Sequence, residues 1–308
     1  MSSRKRALIL INETAGTGTA GQQAMMIARK AAENGYEPVI YPIVPDTELT
    51  SESLVADYDG KADLVLCSGG DGTLHHVMNA VMRLKVRPCL AYLPAGSAND
   101  FAKGLRIPSD KKKAVETAFC GGPFPYDIGS MNERYFNYVA AFGAFADVSY
   151  ATTQEMKNIL GYAAYVINAA GELFQSLSYS RHMIIETEQG SEEGDYIFGA
   201  VCNSVSIGGL PIFQKAGVKL DDGKMELLLI KAPKNILELN AIVTALTRGI
   251  TDNPNISFRQ IEYARFSSEE DVAWALDGEF GGEGTLAEIR VHKHALRIMS
   301  GEVKEENV

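Results

Sequence analysis

The sequence has few positive charges and no long apolar run, and both shortages limit what the protein can bind. Its 308 residues contain 29 Lys and Arg against 39 Asp and Glu, a formal net charge of -10. A chain this acidic does not attach broadly to nucleic acid or to anionic lipid, so no nucleic-acid partner is expected. The most apolar long segment, residues 159–174, is too short to span a bilayer comfortably. We therefore expect a soluble, cytoplasmic protein.

Cysteine is also scarce, and its spacing excludes a zinc site or a redox motif. There is no CxxC pair and no histidine at a zinc-binding distance in sequence from Cys67, Cys89, Cys120 or Cys202. Buried, reduced thiols are the preferred interpretation. The GxxxxGK[ST] motif is absent as well, which excludes a P-loop protein.

The first third of the chain alternates short apolar runs with helical patterns. The predicted strands are residues 7–11, 38–44, 63–67 and 89–93, and the predicted helices between them are residues 21–34 and 73–83. This alternation is typical of an α/β domain in which a parallel sheet has helices on both faces.

After residue 126 the pattern changes to antiparallel β structure. The strand candidates are residues 182–188, 196–203, 225–231, 256–266, 272–276 and 286–292, and the helical patterns are residues 153–177 and 235–249. Because Gly121, Gly122 and Pro123 interrupt regular structure, we place the domain boundary near residue 127. We predict an N-terminal domain of residues 1–127 and a β-rich domain of residues 128–292. The segment near 293–308 is expected to pack back on the first domain.

A glycine-rich loop, Ser68-Gly69-Gly70-Asp71-Gly72-Thr73, links the third strand to the following helix. Consecutive glycines let the backbone approach a ligand, and a helix N-terminus offers N–H groups to a phosphate. Asp71 by itself would repel a phosphate, so its presence indicates a carboxylate that holds Mg²⁺. A plain turn in which Asp and Thr cap the helix explains the same residues equally well.

A second loop follows the next strand and contains Gly96, Ser97, Asn99 and Asp100. Asp71 and Asp100 would then both lie at the carboxyl ends of parallel strands, where open α/β sheets bind ligands. The two carboxylates could share a Mg²⁺-bound phosphate. Helix capping and turn chemistry explain any one of these residues alone, but the two loops together favour a nucleotide site.

A third glycine cluster follows the first strand and matches GxGxxG at Gly16, Gly18 and Gly21. The dinucleotide-binding pattern also requires an acidic residue at the tip of the second strand. No carboxylate occurs there before Asp46. The cluster is therefore interpreted as another phosphate-approaching loop rather than an NAD site.

The motif GGDGT at residues 69–73, followed by PAGSANDFA at residues 94–102, resembles the diacylglycerol kinase catalytic domain family. This superfamily of soluble lipid kinases includes bacterial diacylglycerol kinases, sphingosine kinases and ceramide kinase. LDGE at residues 276–279 and LDDGK at residues 220–224 extend the resemblance to nearly the whole chain. It implies a nucleotide-binding α/β domain and a C-terminal antiparallel β-sandwich, with ATP and the lipid hydroxyl meeting in the cleft between them.

The resemblance also implies which residues bind the nucleotide. They are Asn12, Gly69, Gly70, Asp71, Gly72, Thr73, Leu74, His75, Gly96, Ser97 and Asn99. Asp71 and Asp100 would belong to a catalytic network of carboxylates, water and Mg²⁺.

In the C-terminal domain the resemblance implies a catalytic pair and a structural metal. Asp277 and Glu279 correspond to the pair that supplies the catalytic base, with Glu279 preferred. The metal would bind the Asp222 carboxylate and the backbone carbonyls of Lys219 and Lys224. Without the resemblance, both segments are better explained as plain turns, since Asp-Gly is a common hairpin dipeptide.

This sequence departs from the family pattern at three places. Asn12 opens NETAG instead of the usual NPxSG, His75 and His76 stand where Asn-Glu is usual, and Ile43 or Val44 replaces a Thr at the end of the second strand. The phosphate loop itself is intact. The departures bear on nucleotide preference and catalytic strength.

The resemblance predicts an ATP- and Mg²⁺-dependent lipid kinase, with diacylglycerol converted to phosphatidic acid as the first expectation. Its partner would be a lipid substrate, met transiently at the membrane surface, and a homodimer is left open. One alternative is NAD kinase, whose sequences share GGDG but lack the PxGSxND loop. Another is a catalytically weak nucleotide- or lipid-binding module, which the His75-His76 and Asn12 departures would suit.

Overall fold

The computed structural model describes residues 4–12, 20–44, 47–96, 99–143, 180–204, 217–248 and 253–301. Within them the chain forms two compact units, one of Met1–Tyr126 with His294–Val308 and one of Asp127–Lys293. Ser97, Gly16, Gly18 and the helix predicted at 153–177 lie outside the described residues, as does the apolar segment 159–174. No helix in the described ranges is long and apolar enough to cross a membrane.

The first unit alternates strands and helices. Its elements are β1 (Lys5–Asn12), α1 (Ala20–Glu33), β2 (Tyr36–Ile43), α2 (Ser51–Asp57), β3 (Leu64–Gly69), α3 (Asp71–Met82), β4 (Cys89–Pro94), α4 (Asp100–Gly104) and α5 (Lys111–Cys120). β1 pairs in parallel with β2 and β3, and β3 pairs in parallel with β4. The carboxyl ends of these strands therefore lie along one edge, where the loops that precede α1, α3 and α4 begin.

The central strands of this unit, β1, β3 and β4, are buried because they are apolar on both faces. Leu8, Ile9 and Leu10 of β1 have no exposed surface, although consecutive side chains of a strand point to opposite faces. Ile9 packs in one cluster with Ile27 of α1 and Val115 of α5. Burial of this kind stabilises the sheet by roughly 1.5–3 kcal/mol for each large aliphatic side chain.

The second unit is rich in antiparallel strands. Its elements are β5 (Gly122–Met131), which begins in the first unit, β6 (Arg134–Phe136), β7 (Val139–Gly143), β8 (Arg181–Thr187), β9 (Gly190–Cys202), β10 (Met225–Lys231), α6 (Ile236–Thr247), β11 (Ile256–Ile261), β12 (Tyr263–Leu276) and β13 (Glu279–Ser300). Neighbours run in the order β11, β10, β9, β7, β12, β13, with β8 paired to β9 and β12. Phe142 and Phe266 stack on Trp274, with ring centroids 4.9 and 5.0 Å from the indole, and form the aromatic centre of its core.

Several strand predictions in this unit are wrong in their bounds. β9 and β13 are longer than the predicted strands 196–203 and 286–292, and two further predictions fail at β11 and β12. Residues 256–266 are not one strand, because Glu262 separates the end of β11 from the start of β12. Conversely, residues 272–276 are the end of β12, which continues through the polar stretch before them. The pairing of β12 with β13 shifts register between Ser267 and Val272, so the polar stretch is accommodated as an irregularity instead of ending the strand.

The cysteine prediction is correct only in part. All four thiols are free, and Cys67 and Cys202 are buried. Cys89 is half-buried at the start of β4, and Cys120 is exposed. Cys120 is the last residue of α5, where the chain turns away from the core, so the expected burial of all four is wrong there.

Candidate functional site

The first glycine loop of the first unit leads from β3 into α3. Gly70 is the N-cap of α3, and its carbonyl accepts the first helical hydrogen bond, from the Leu74 N–H at 3.0 Å. A glycine cap has no side chain to cover the helix end, and the N–H groups of a first turn have no acceptor within the helix. The end of α3 is therefore suited to an anion.

Two glycines of this region permit contacts that a side chain would prevent. A Cβ on Gly69 would lie 2.7 Å from Cβ and Oγ1 of Thr73 in the first turn of α3. A Cβ on Gly96 would lie 2.8 Å from the Gly70 Cα, in the neighbouring loop. Real Cβ atoms do not approach a carbon this closely. Gly69 therefore lets the first turn of α3 pack against the end of β3, and Gly96 lets the two loops meet.

The second glycine loop, after β4, closes through Asn99. This residue has a left-handed backbone with φ of 50°. Its Oδ1 accepts from the Gly96 N–H at 3.0 Å, and its Nδ2 donates to the Gly96 carbonyl at 2.6 Å. Because Gly96 N–H can only donate, these two bonds fix which way the amide points. The Ala95 N–H donates to the Gly69 carbonyl at 2.8 Å and joins the second loop to the first.

Three side chains outside the glycine motifs support the loops. Asn12, at the end of β1, donates from Nδ2 to the Thr73 hydroxyl at 2.8 Å. Gln23 of α1 donates to the Ser68 hydroxyl at 3.2 Å. The Tyr92 hydroxyl of β4 donates to the Gly69 carbonyl at 3.0 Å, with Asn99 Oδ1 at 3.3 Å.

Of these three, the sequence indicated only Asn12. Tyr92 lies in an apolar strand and Gln23 in a helix. No sequence motif around either residue indicates that it contacts the loops. Burial and the nearby Asp71 raise the pKa of Tyr92, so its hydroxyl remains a donor at physiological pH.

The other predicted residues of this unit differ in what they can offer. Asp71 is half-buried in the first turn of α3, and Asp100 begins α4, although the Asp100 side chain is outside the described residues. Leu74 is not brought to the loop surface, because its side chain is fully buried and its N–H bonds to Gly70.

The two histidines after the loop already have neighbours. The backbone carbonyl of His75 accepts from Asn79 Nδ2 at 3.0 Å, and the His75 ring Nε2 lies 3.3 Å from the same nitrogen. His76 Nδ1 lies 3.3 Å from the Glu52 carboxylate at an exposed position. His75 is thus the half-buried member of the pair, next to the first glycine loop.

In the second unit, Asp277 and Gly278 form the two-residue turn of the hairpin that joins β12 to β13. Both have positive φ, 54° and 88°, which is the pattern of a type I′ turn. Asp277 is 3% exposed. Its carboxylate accepts from three backbone N–H groups, of Asn137 at 2.8 Å, Tyr138 at 3.0 Å and Val139 at 3.2 Å.

Glu279 follows the hairpin and has a different environment. It is the first residue of β13, it pairs with Leu276, and it is exposed. The two carboxylates of the predicted pair therefore differ in their possible roles. Asp277 fixes the backbone, whereas Glu279 is accessible to a reactant.

The predicted metal turn also lies in the second unit. Asp222 Oδ1 accepts from the Lys224 N–H at 2.9 Å, and the buried Asp127 carboxylate accepts from the Gly223 N–H at 2.5 Å. The ammonium of Lys293 donates to the Asp222 carbonyl at 3.2 Å. Lys219 is exposed just before the turn.

A metal ion that is held by protein side chains alone needs several ligands close together. Among the described residues, no group of three or more His, Cys, Asp or Glu side chains could hold a metal ion. A cage built from such side chains alone is therefore absent from that part of the chain. Mg²⁺ on a nucleotide needs only one or two carboxylates, because phosphates and water complete its shell, and Asp71 in the first turn of α3 fits that requirement.

Comparison with known proteins gives the same family at the level of sequence. A sequence model described as the diacylglycerol kinase catalytic domain matches residues 6–131. A diacylglycerol kinase of Staphylococcus saprophyticus is 30% identical over 310 residues, which cover 99% of each chain. One of Staphylococcus epidermidis is 32% identical over 294 residues, which cover 94% of this chain and 91% of the relative.

Solved structures agree at the level of fold. The crystal structure of a diacylglycerol kinase from Bacillus anthracis strain Sterne superimposes with a TM-score of 0.73 at 18% identity, covering 98% of this chain and 99% of that one. A second structure from this organism has a TM-score of 0.80 at 21% identity, covering 98% and 97%. The sequence relatives confirm the resemblance seen in the motifs: the chain belongs to the diacylglycerol kinase catalytic domain family and is a lipid kinase.

Proposed function

We propose that this chain transfers the γ-phosphoryl group of ATP to the hydroxyl of a membrane-derived lipid, with diacylglycerol as acceptor and phosphatidic acid as product. The observation that carries the proposal is the meeting of the two glycine loops, with Gly96 against Gly70 beside the N-terminus of α3. The names of the staphylococcal relatives support diacylglycerol as the acceptor. The first unit is then the ATP-binding domain, a parallel sheet with helices on both faces. The second unit is the lipid-substrate domain, an antiparallel β-sandwich.

The ATP phosphates would be held mainly by backbone groups of the first loop. Gly69, Gly70 and Gly72 allow close approach, and the first turn of α3 directs N–H groups at the anion. The Thr73 hydroxyl accepts from Asn12, so its own proton is available to a phosphate oxygen. His75 adjoins this loop, and Ser97 and Asn99 would contact the nucleotide from the second loop. Leu74 would support the helix from the core without touching the ligand.

Mg²⁺ would be held by Asp71, with Asp100 acting through water. The ion would neutralise charge on the phosphates, which is the main requirement of phosphoryl transfer. The chain's own contribution is to place a carboxylate beside an anion-binding helix end. Asp71 alone would weaken phosphate binding there, so its position is explained by a bound cation.

Glu279 would be the catalytic base, and Asp277 its positioning residue. As the acceptor oxygen bonds to the γ-phosphorus, the bond to the β–γ bridging oxygen breaks and ADP leaves. Glu279 takes the proton of the hydroxyl. Asp277 is saturated with backbone N–H donors, so we assign it to fixing the hairpin that presents Glu279.

The turn at Asp222 would be a structural element of the lipid-substrate domain. A cation there would bind the Asp222 carboxylate and the carbonyls of Lys219 and Lys224. The Lys293 ammonium, which donates to the Asp222 carbonyl, supplies positive charge to the same turn. Transient contact with the membrane surface completes the proposal, and the homodimer stays an open prediction.

The test is a kinase assay of the purified chain with labelled ATP and a panel of acceptors. The panel contains diacylglycerol, sphingosine and ceramide in mixed micelles, and NAD in solution. We expect label in the diacylglycerol product, dependent on Mg²⁺. Label in NAD alone would select the NAD kinase alternative, and ATP binding without transfer to any acceptor would select the binding module.

A further inference from the structure

The hydroxyl of Tyr92, a buried residue outside both glycine motifs, contacts both glycine loops. Tyr92 lies on β4, opposite Cys67 of β3, and only 1% of it is exposed. Its hydroxyl donates to the Gly69 carbonyl in the first loop at 3.0 Å. The same hydroxyl lies 3.3 Å from Asn99 Oδ1 in the second loop.

We propose that Tyr92 is a positioning residue that holds the two glycine loops together and thereby sets the affinity for the nucleotide, not for the lipid. The inference rests on the proposed ATP site at these loops. The phenol reaches one oxygen in each loop at the point where Gly96 packs on Gly70. A shift of the second loop therefore changes the space available to a phosphate.

The ring of Tyr92 is itself held in place. It stacks edge-on against Phe101 of α4, with centroids 5.8 Å apart, and Phe101 stacks in turn on Tyr126 at 5.3 Å. The orientation of the hydroxyl is therefore fixed by packing. Removal of the hydroxyl oxygen alone leaves the stack intact, which makes Tyr92→Phe a selective test.

The two acceptors of Tyr92 do not depend on it equally. The Gly69 carbonyl also accepts from the Ala95 N–H at 2.8 Å, so it keeps a donor when the hydroxyl is removed. Asn99 Oδ1 keeps the Gly96 N–H but loses its contact with the strand beneath. Because Asn99 has a left-handed backbone, the second loop is the one expected to relax.

The experiment measures nucleotide binding directly, by calorimetric titration with ADP and with a non-hydrolysable ATP analogue. Tyr92→Phe should weaken binding about fivefold, the effect of one hydrogen bond. In the kinase assay, KM for ATP should rise by the same factor while KM for diacylglycerol is unchanged. The matched control is Tyr36→Phe, which removes a hydroxyl from the opposite end of the same sheet, where the Tyr36 ring stacks on Phe119 of α5.

A double-mutant cycle distinguishes positioning from general stability. Asn99→Ala removes the loop acceptor, so adding Tyr92→Phe to it should cost much less than Tyr92→Phe alone. A lower melting temperature with unchanged nucleotide affinity would overturn the proposal, as would full additivity in the cycle. If the unmodified chain binds no nucleotide, the proposed ATP site fails and this inference with it. If the unmodified chain binds ATP and Tyr92→Phe binds equally well, only the role of Tyr92 fails.

Discussion

The glycine loops of the first unit and the Asp-Gly turns of the second use the same residue types for opposite purposes. Around Gly70 and Gly96, side chains from neighbouring elements brace the loops and leave a helix end facing outward. At Asp277, the side chain turns inward and is saturated by the backbone of its own unit. An aspartate next to glycine therefore indicates a ligand only where the surrounding backbone N–H groups are not already bonded.

The largest expected effect is at Asp277. Asp277→Ala would take the carboxylate acceptor from three backbone N–H groups, of which those of Asn137 and Tyr138 are buried. We expect it to lower the free energy of unfolding by about 4 kcal/mol or more. Urea denaturation followed by circular dichroism measures this. Stability within 1 kcal/mol of the unmodified chain, on the order of one weak hydrogen bond, would contradict the anchoring role.

Glu279→Gln should show the reverse pattern. Removal of a general base lowers turnover by about 10²–10⁴-fold, whereas an exposed side chain contributes little to stability. Steady-state rates with diacylglycerol and a melting curve of the same preparation test both halves. Normal turnover would show that Glu279 is not the catalytic base, and the proposed difference in role between Glu279 and Asp277 would be wrong.

Glu226 extends the comparison to a buried carboxyl in the middle of the sheet, on β10. It is 1% exposed on β10, and Gln260 donates to its Oε1 at 3.1 Å. Burial raises its pKa to about 7, so the folded chain binds this proton more tightly than the unfolded chain does. Stability from this group therefore falls as pH rises from about 4.5 to about 7.

Glu226→Gln keeps the hydrogen bond to Gln260 and removes the ionisation. We expect it to stabilise the chain at pH 8 by roughly 2–3 kcal/mol and to have little effect at pH 4. Glu262→Gln, at an exposed position between β11 and β12, is the control. Melting temperatures measured between pH 4 and pH 8 test this prediction. An equal change in melting temperature at every pH would rule out titration of Glu226 as the cause.

At the loop contact we expect a smaller effect than at the three carboxyl groups. Gly96→Ala would place a methyl group 2.8 Å from the Gly70 Cα, so the loops must separate, and nucleotide affinity should fall about tenfold. Gly104→Ala is the matched control, because a Cβ at Gly104 of α4 would have nothing within 4 Å. Equal affinities of the two variants in a calorimetric titration would mean that the loop contact does not shape the site.

The sequence predicted β1 to β4 of the first unit well because each contains a short apolar run, and glycine or proline closes β2, β3 and β4. It did not predict α2, a helix of seven residues whose start depends on the Thr50 hydroxyl accepting from the Ser53 N–H at 3.1 Å. The continuity of β12 was missed because a polar stretch interrupts its pattern. Local composition cannot distinguish a turn from a register shift that a partner strand absorbs.

The candidate site could be predicted only where its residues share a motif. Each glycine loop is a continuous stretch of the sequence, so its composition is enough to identify it. Tyr92 and Gln23 act from distant elements, and their polar atoms reach the loops only after the sheet has formed. The different environments of Asp277 and Glu279 likewise arise from the link between β6 and β7, whose N–H groups at Asn137 to Val139 lie far away in the chain.

The long strand β13 limits how the chain can be divided. It begins at Glu279, beside the hairpin, and near its end Ile298 pairs with Leu90 of β4 while Met299 packs into the core of the first unit. A fragment ending at residue 127 would lack that strand and expose the edge of β4 to other chains. The first unit is therefore not autonomous in folding: one of its strands is synthesised only after the second unit.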